Sequence, residues 1–116
     1  MDIVTALIEI GAPGIDEGRF RGYTPLIWAA QNGQEEVMKI LLERGHVNPD
    51  KPDEKGQTPI SHAARNGQAG VVKILLALQN VNPNNSDLGS RRALSYAAQN
   101  GHAEVVRVLL ERNDVN

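Results

Sequence analysis

The chain has 116 residues, no cysteine, a formal charge of −2 and only 3% aromatic residues. That length bounds it to one domain with a limited core, and the lack of cysteine excludes a disulfide framework, a thiolate zinc site and a cysteine nucleophile. The mild negative charge gives no general drive towards nucleic acid or acidic membranes, and so few rings cannot form a face that stacks successive bases.

The first segment, Met1 to Ile10, is apolar enough to suggest a signal peptide. Asp2 stands where a basic region belongs and Glu9 interrupts the apolar run, so secretion is not expected. No stretch approaches the roughly 20 apolar residues of a membrane helix. An intracellular, cytoplasmic chain is expected.

The chain repeats itself at 34 residues. Thr24-Pro25 recurs as Thr58-Pro59, and Ala29-Ala30 recurs as Ala63-Ala64 and Ala97-Ala98. Asn32-Gly33 returns as Asn66-Gly67 and Asn100-Gly101. Residues 24–48 and 58–82 share 14 identities in 25 positions, and 58–82 and 92–116 share 12 in 25. Chance gives about two. Ile3 to Gly11 falls in register with Val37 to Gly45. The expected division is therefore a leading half-repeat at 1–15, repeats at 16–49 and 50–83, and a truncated last repeat at 84–116.

Each unit has the same local logic. Asp50 to Gln57 is charged and turn-forming, and predicts an exposed loop. Thr58 then caps a helix that begins at Pro59, whose missing N–H costs nothing there. Ile60, Ala63 and Ala64 make a narrow apolar face at helical spacing. Asn66-Gly67 ends that helix through residues tolerant of positive φ. A second helix carries Val71, Val72, Ile74, Leu75 and Leu76, and Val81-Asn82-Pro83 exits in extended form. One such pair cannot bury its apolar faces alone, whereas stacked pairs can.

These motifs resemble the ankyrin repeat family. The resemblance rests on Gly22-Tyr23-Thr24-Pro25-Leu26 with Ala29 to Gly33, and on Gly56-Gln57-Thr58-Pro59-Ile60 with His62 to Gly67. The Val-Asn-Pro exits and Trp28 to Gly33 are also similar to arrays of fungal receptor-like proteins. The resemblance implies an all-α solenoid of stacked helix-turn-helix repeats with β-hairpin fingers. It further implies a non-enzymatic protein-interaction module that binds through fingers and first helices. The family's usual His after Thr-Pro-Leu is Ile27, Ser61 and Ser95 here, so its His–Thr hydrogen bond is not expected. The loop from Asn48 to Gly56 is about two residues longer than the familiar finger, which would carry its tip further out. In the last repeat Arg92-Ala93 replaces Thr-Pro, and Ser90 is expected to cap a helix started two residues earlier.

Trp28, His62 and Tyr96 share one repeat position and are expected to form a ladder of stacked rings. The loops mix Arg19, Arg21, Lys51, Lys55, Arg91 and Arg92 with Asp16, Glu17, Asp50, Asp53, Glu54 and Asp87, and this charge is expected on a solvated face. His46 and His102 lie near helix ends without the ligand cluster that a metal needs. Ser61-His62 is no dyad, because adjacent helical residues point about 100° apart. No cofactor and no metal are expected. Gln31, Arg65 and Gln99 should line the concave side, beside turn-forming Asn32, Asn66 and Asn100.

The partner-contact candidates are Arg19, Phe20, Arg21, Tyr23, Lys55, Gln57, Arg65 and Arg91. Arginine and aromatic residues are enriched at binding hot spots, and Phe20 and Tyr23 are the rings left over from the ladder. The expected partner is another protein or peptide, not nucleic acid or membrane. An alternative is a structural or autoregulatory spacer in a larger receptor-like protein. Leu94, Ala98, Val105 and Leu109 have no following repeat to cover them, so a fragment of a longer array, or end-to-end self-association of uncapped repeats, is expected.

Overall fold

The computed structural model describes residues 22–43 and 47–112. The described residues are all-helical, with six helices and no strand. They form three pairs. Helix α1 (Pro25–Gln31) is followed by α2 (Glu35–Glu43), α3 (Pro59–Arg65) by α4 (Ala69–Leu76), and α5 (Ala93–Gln99) by α6 (Ala103–Leu110). The first helices pack side by side in the order α1, α3, α5, and the second helices in the order α2, α4, α6.

Local chemistry sets these boundaries. The Thr24 hydroxyl accepts from Ile27 N–H at 3.1 Å and the Thr58 hydroxyl from Ser61 N–H at 3.3 Å, while Pro25 and Pro59 open their helices. The Thr58 hydroxyl also donates to Ser61 Oγ at 3.2 Å. Each first helix closes with the same pair of backbone bonds. Gly67 N–H donates to Ala64 O and Gln68 N–H to Ala63 O, a pattern repeated at Gly33/Gln34 and Gly101/His102. Only the glycine of each Asn-Gly turn is left-handed, with φ between 69° and 72°; the asparagines stay near −97°. Asn32 and Asn66 instead donate from their amides to the carbonyls of Trp28 and His62, at 2.8 Å each.

The paired alanines let first helices approach closely, and Ala29, Ala30, Ala63, Ala64 and Ala97 are fully buried. Leu26, Ile60, Met38, Leu41, Val72, Leu75, Val105 and Leu109 fill the space between the layers. Fully burying one such side chain contributes about 1.5–3 kcal/mol. Val105 and Leu109 are thus covered by the preceding repeat, contrary to expectation; the open positions are Ala98, Leu110 and, in part, Leu94 and Val106.

Neighbouring repeats are also tied by polar bonds at equivalent positions. Gln68 Nε2 donates to Gln31 O at 3.3 Å, and 34 residues later His102 Nε2 donates to Arg65 O at 2.9 Å. Gly33 and Gly67 lie against these two side chains, where an added Cβ would come within 2.4 Å and 2.7 Å of them. His102 is therefore a structural staple. His46 lies outside the described residues.

The last repeat departs from expectation at its helix start. Ser90 does not cap: it sits in the left-handed region with φ 62°, and its N–H donates to Asp87 O. It occupies the place of Gly22 and Gly56 in the earlier repeats, whose φ values are 75° and 81°. Helix α5 begins at Ala93, and Ser95 Oγ accepts from Arg92 N–H at 2.7 Å. The side-chain bond at this helix start thus comes from inside the helix, and Arg92 itself supplies no cap.

Candidate partner-binding face

The loops that precede α3 and α5 are each organised by one aspartate. Asp53 Oδ1 accepts from the N–H groups of Lys55 and Gln57, both at 2.9 Å. Asp87 Oδ1 accepts from Gly89 at 2.8 Å and from Arg91 at 2.9 Å. These side-chain bonds explain why no strand forms here. A hairpin would pair Asp53 and Gln57 reciprocally. Asp53 N–H does reach Gln57 O, but the Gln57 N–H is taken by the carboxylate and Asp53 O receives Gly56 N–H instead.

The second carboxylate oxygen points inward. Asp53 Oδ2 accepts from His62 Nε2 at 2.8 Å, and Asp87 Oδ2 accepts from the Tyr96 hydroxyl. Because a carboxylate only accepts, the His62 proton lies on Nε2. Asp53 and Asp87 are therefore buried fasteners between loop and first helix, not members of a solvated face. The same position in the first repeat carries Arg19, which lies outside the described residues.

No ladder of stacked rings joins Trp28, His62 and Tyr96. His62 and Tyr96 are buried, but Trp28 is 44% exposed. The ring that meets His62 is Tyr23, edge-on with centroids 5.3 Å apart. Position 23 recurs as Gln57, and Gln57 Nε2 donates to the Tyr96 hydroxyl at 3.0 Å. In both cases the residue before the Thr-Pro reaches forward to the ring of the next repeat. Tyr23 is thus half-buried against His62, and Gln57 is only 5% exposed. Each has a packing role where partner contact was expected.

The other candidates divide by position. Arg19, Phe20 and Arg21 lie outside the described residues. Lys55, Arg65 and Arg91 are exposed and meet around one polar cleft of about 200 Å³, whose lining also includes Gln57, Tyr96, Gln99 and Asn100. The Arg91 guanidinium stands 5.2 Å from the Tyr96 ring centroid and that of Arg65 5.9 Å away. Such cation–π contacts contribute about 0.5–1 kcal/mol at exposed sites. The backbone of Arg65 is itself held by the next repeat, since its carbonyl accepts from Asn100 Nδ2 at 3.0 Å and from His102.

The electrostatics of the cleft follow from this geometry. Burial pulls the Asp87 carboxyl up, but the Tyr96 hydroxyl, the Arg91 and Gly89 N–H groups and the Arg91 charge together hold it below its ordinary value. Burial and then Asp87 push the Tyr96 phenol up, keeping it protonated. Burial pushes the His62 imidazole below its ordinary value, with Asp53 opposing.

A second cleft, of about 430 Å³, lies on the far side of the last pair. It is apolar and lined by Ala97, Ala98, Gly101, Val106 and Leu110 among others. The equivalent face of α3 and α4 is covered by α5 and α6. Among the described residues no group of three or more His, Cys, Asp or Glu could hold a metal, and no helix is long and apolar enough to cross a membrane.

Comparison with protein families accounts for this architecture. A model of the ankyrin repeat matches residues 21–54, and a model of ankyrin repeats in three copies matches residues 45–116. A search among curated proteins returns no match. Ankyrin repeats are in general protein-interaction modules and typically non-enzymatic. With three helix pairs, Thr-Pro starts in the first two and Asn-Gly closures in all three, the chain belongs to the ankyrin repeat family.

Proposed function

We propose that the chain binds a protein partner on the face formed by loops 53–57 and 87–91 with helices α3 and α5. In this reading residues 16–49, 50–83 and 84–116 are successive repeats after the half-repeat 1–15, the stack is a segment of solenoid, and the loops serve as its fingers. The observation that carries it is the polar cleft between two loops and two first helices, lined by Lys55, Arg65, Arg91, Gln99 and Asn100. Its side chains stand on a rigid, repeat-stapled framework, so little ordering is lost on contact. Panning a displayed random-peptide library against the chain tests this. Binders should be lost on a variant carrying Arg65→Ala and Gln99→Ala. Binders that ignore both changes overturn the reading, and a library that yields none favours a spacer role.

The apolar cleft beside α6 supports a second reading, self-association. The equivalent surface one repeat earlier is covered by a helix pair of the same kind, so a helix pair from a second copy of this chain fits there. Light scattering across a concentration series should then show dimer, and Leu110→Glu should abolish it. A monomer at every concentration removes this reading.

A further inference from the structure

We infer that the polar cleft recognises a carboxylate side chain of an acidic peptide segment, with Lys55, Arg65 and Arg91 as its cationic walls. This rests on the interaction face proposed above and names the chemistry that the face selects.

Three observations converge. The first is a local imbalance of charge. The whole chain is net negative, yet the cleft is lined by three cations and no carboxylate. The loops do carry acids, but Asp53 and Asp87 are turned inwards on His62 and Tyr96. Glu54 of the same loop as Asp53 is exposed but lies outside the cleft lining, which is left with cations alone. Among the described residues Lys55 and Arg65 have no ion-pair partner, and Arg91 meets only the already engaged Asp87, with Nε 3.7 Å from Oδ2.

The second observation is positioning. Both guanidiniums stand by the one Tyr96 ring, which is fixed through its hydroxyl to Asp87 and Gln57. Asp87 already stands 3.7 Å from Arg91, so an entering carboxylate chiefly answers the charges of Arg65 and Lys55. Guanidinium matches carboxylate geometry through paired N–H donors, and such charge-assisted bonds are about twice as strong as neutral ones.

The third is size and wall chemistry. The cleft is about 200 Å³, room for a side chain, and Gln99 and Asn100 place amides beside the cations. A nucleic acid would ask for a longer basic track and open ring faces for its bases. Here the cations form one cluster, and the Tyr96 side chain is buried at 4% exposure.

The test is an NMR titration of the intact chain with a short peptide alternating Glu and Gly, beside the same peptide with Gln in place of Glu. The Glu peptide should move the Nε–H signals of Arg65 and Arg91 and the Asn100 amide, and weaken as salt is raised. Arg65→Gln should weaken it about tenfold, the loss expected for one charged hydrogen bond. Lys55→Gln, whose side chain makes no bond within the described fold, should weaken it in the same direction without touching Tyr96. Equal response to the Glu and Gln peptides at this cleft overturns the charge reading while leaving the interaction face standing. Shifts confined to other surfaces overturn the cleft as the site, and tighter binding of a single-stranded oligothymidine overturns the peptide assignment.

Discussion

His62 donates from Nε2 to Oδ2 of Asp53 across 2.8 Å, and both side chains are 2% exposed. The same bond recurs 34 residues later between Tyr96 and Asp87. In each of these two repeats one loop aspartate thus closes its own turn with one oxygen and anchors the first helix with the other. The two copies differ in how they respond to protons. Burial holds the His62 imidazole below its ordinary 6.5, so the folded chain keeps it neutral where the unfolded chain takes up a proton. Stability contributed by this group is full above about 6.5 and is lost as pH falls through the lower folded value. Asp50 has the opposite sign, because burial raises its carboxyl above 3.8, and its contribution is common to the native chain and a His62 variant. The expected result is that the Tm advantage of the native chain over His62→Gln shrinks as pH falls from about 7 to about 5. Parallel profiles for the two proteins count against a neutral, buried His62.

The Tyr96 copy is insensitive to pH near neutrality but sensitive to deletion of its hydroxyl. That oxygen donates to Asp87 and accepts from Gln57. Tyr96→Phe leaves two buried polar groups with one partner fewer, which costs about 1–3 kcal/mol. Gln57→Leu removes only the outer bond and should cost less. Chemical denaturation of both variants checks the order, and equal losses would place the Asp87–Tyr96 bond on a par with the Gln57–Tyr96 bond.

How far the sequence reveals these features depends on the spacing of the residues involved. Thr58-Pro59, Ala63-Ala64 and Asn66-Gly67 act within a few residues, so helix starts, faces and ends are legible from local pattern. The Asp53–His62 bond spans nine residues and joins a loop to a helix; charge in a loop normally predicts solvent exposure, which hid its burial. A comparison of copies could have exposed it, since Asp53 with His62 and Asp87 with Tyr96 hold the same spacing. Gln57 and Tyr23 were harder still. Each acts on a ring 39 residues away, in the next repeat, and nothing in the local sequence marks a polar loop residue as buried. Lys55, Arg65 and Arg91 were legible as exposed cations from their polar setting, but their meeting around Tyr96 depends on how repeats are offset.

Ser90 gives a test of backbone strain. It holds φ 62° where the two earlier repeats place glycine. A residue with a Cβ in this region costs about 1 kcal/mol relative to glycine. Ser90→Gly is therefore expected to raise stability by about that amount, and Ser90→Ala to change little, because its hydroxyl caps no helix. Gly56→Ala should be destabilising on two counts, since its φ is 81° and an added Cβ would stand 3.1 Å from the Asp87 Cα. Thermal melts of the three variants check the signs. A marked loss in Ser90→Ala would restore a capping role.

The start of α5 is the last weak point, and it invites repair. Arg92 stands where Thr24 and Thr58 cap the earlier first helices, and it offers no side-chain acceptor. Ser95 compensates by accepting from Arg92 N–H, which satisfies the chain before the helix but leaves the N–H of Ser95 without the cap that Ser61 receives from Thr58. Arg92→Thr supplies that oxygen and should stabilise the last pair by about 1 kcal/mol. Ser95→Ala removes the existing compensation and should cost a similar amount. The two effects fall on one helix turn, so the double variant distinguishes substitution from addition: if the introduced threonine takes over the role, Ser95→Ala will cost less in its presence. Amide exchange in α5 and α6 reads this locally, with slower exchange expected in Arg92→Thr. Unchanged exchange there would mean that the final repeat opens from the α6 side, at Val106 and Leu110, before its first helix is tested.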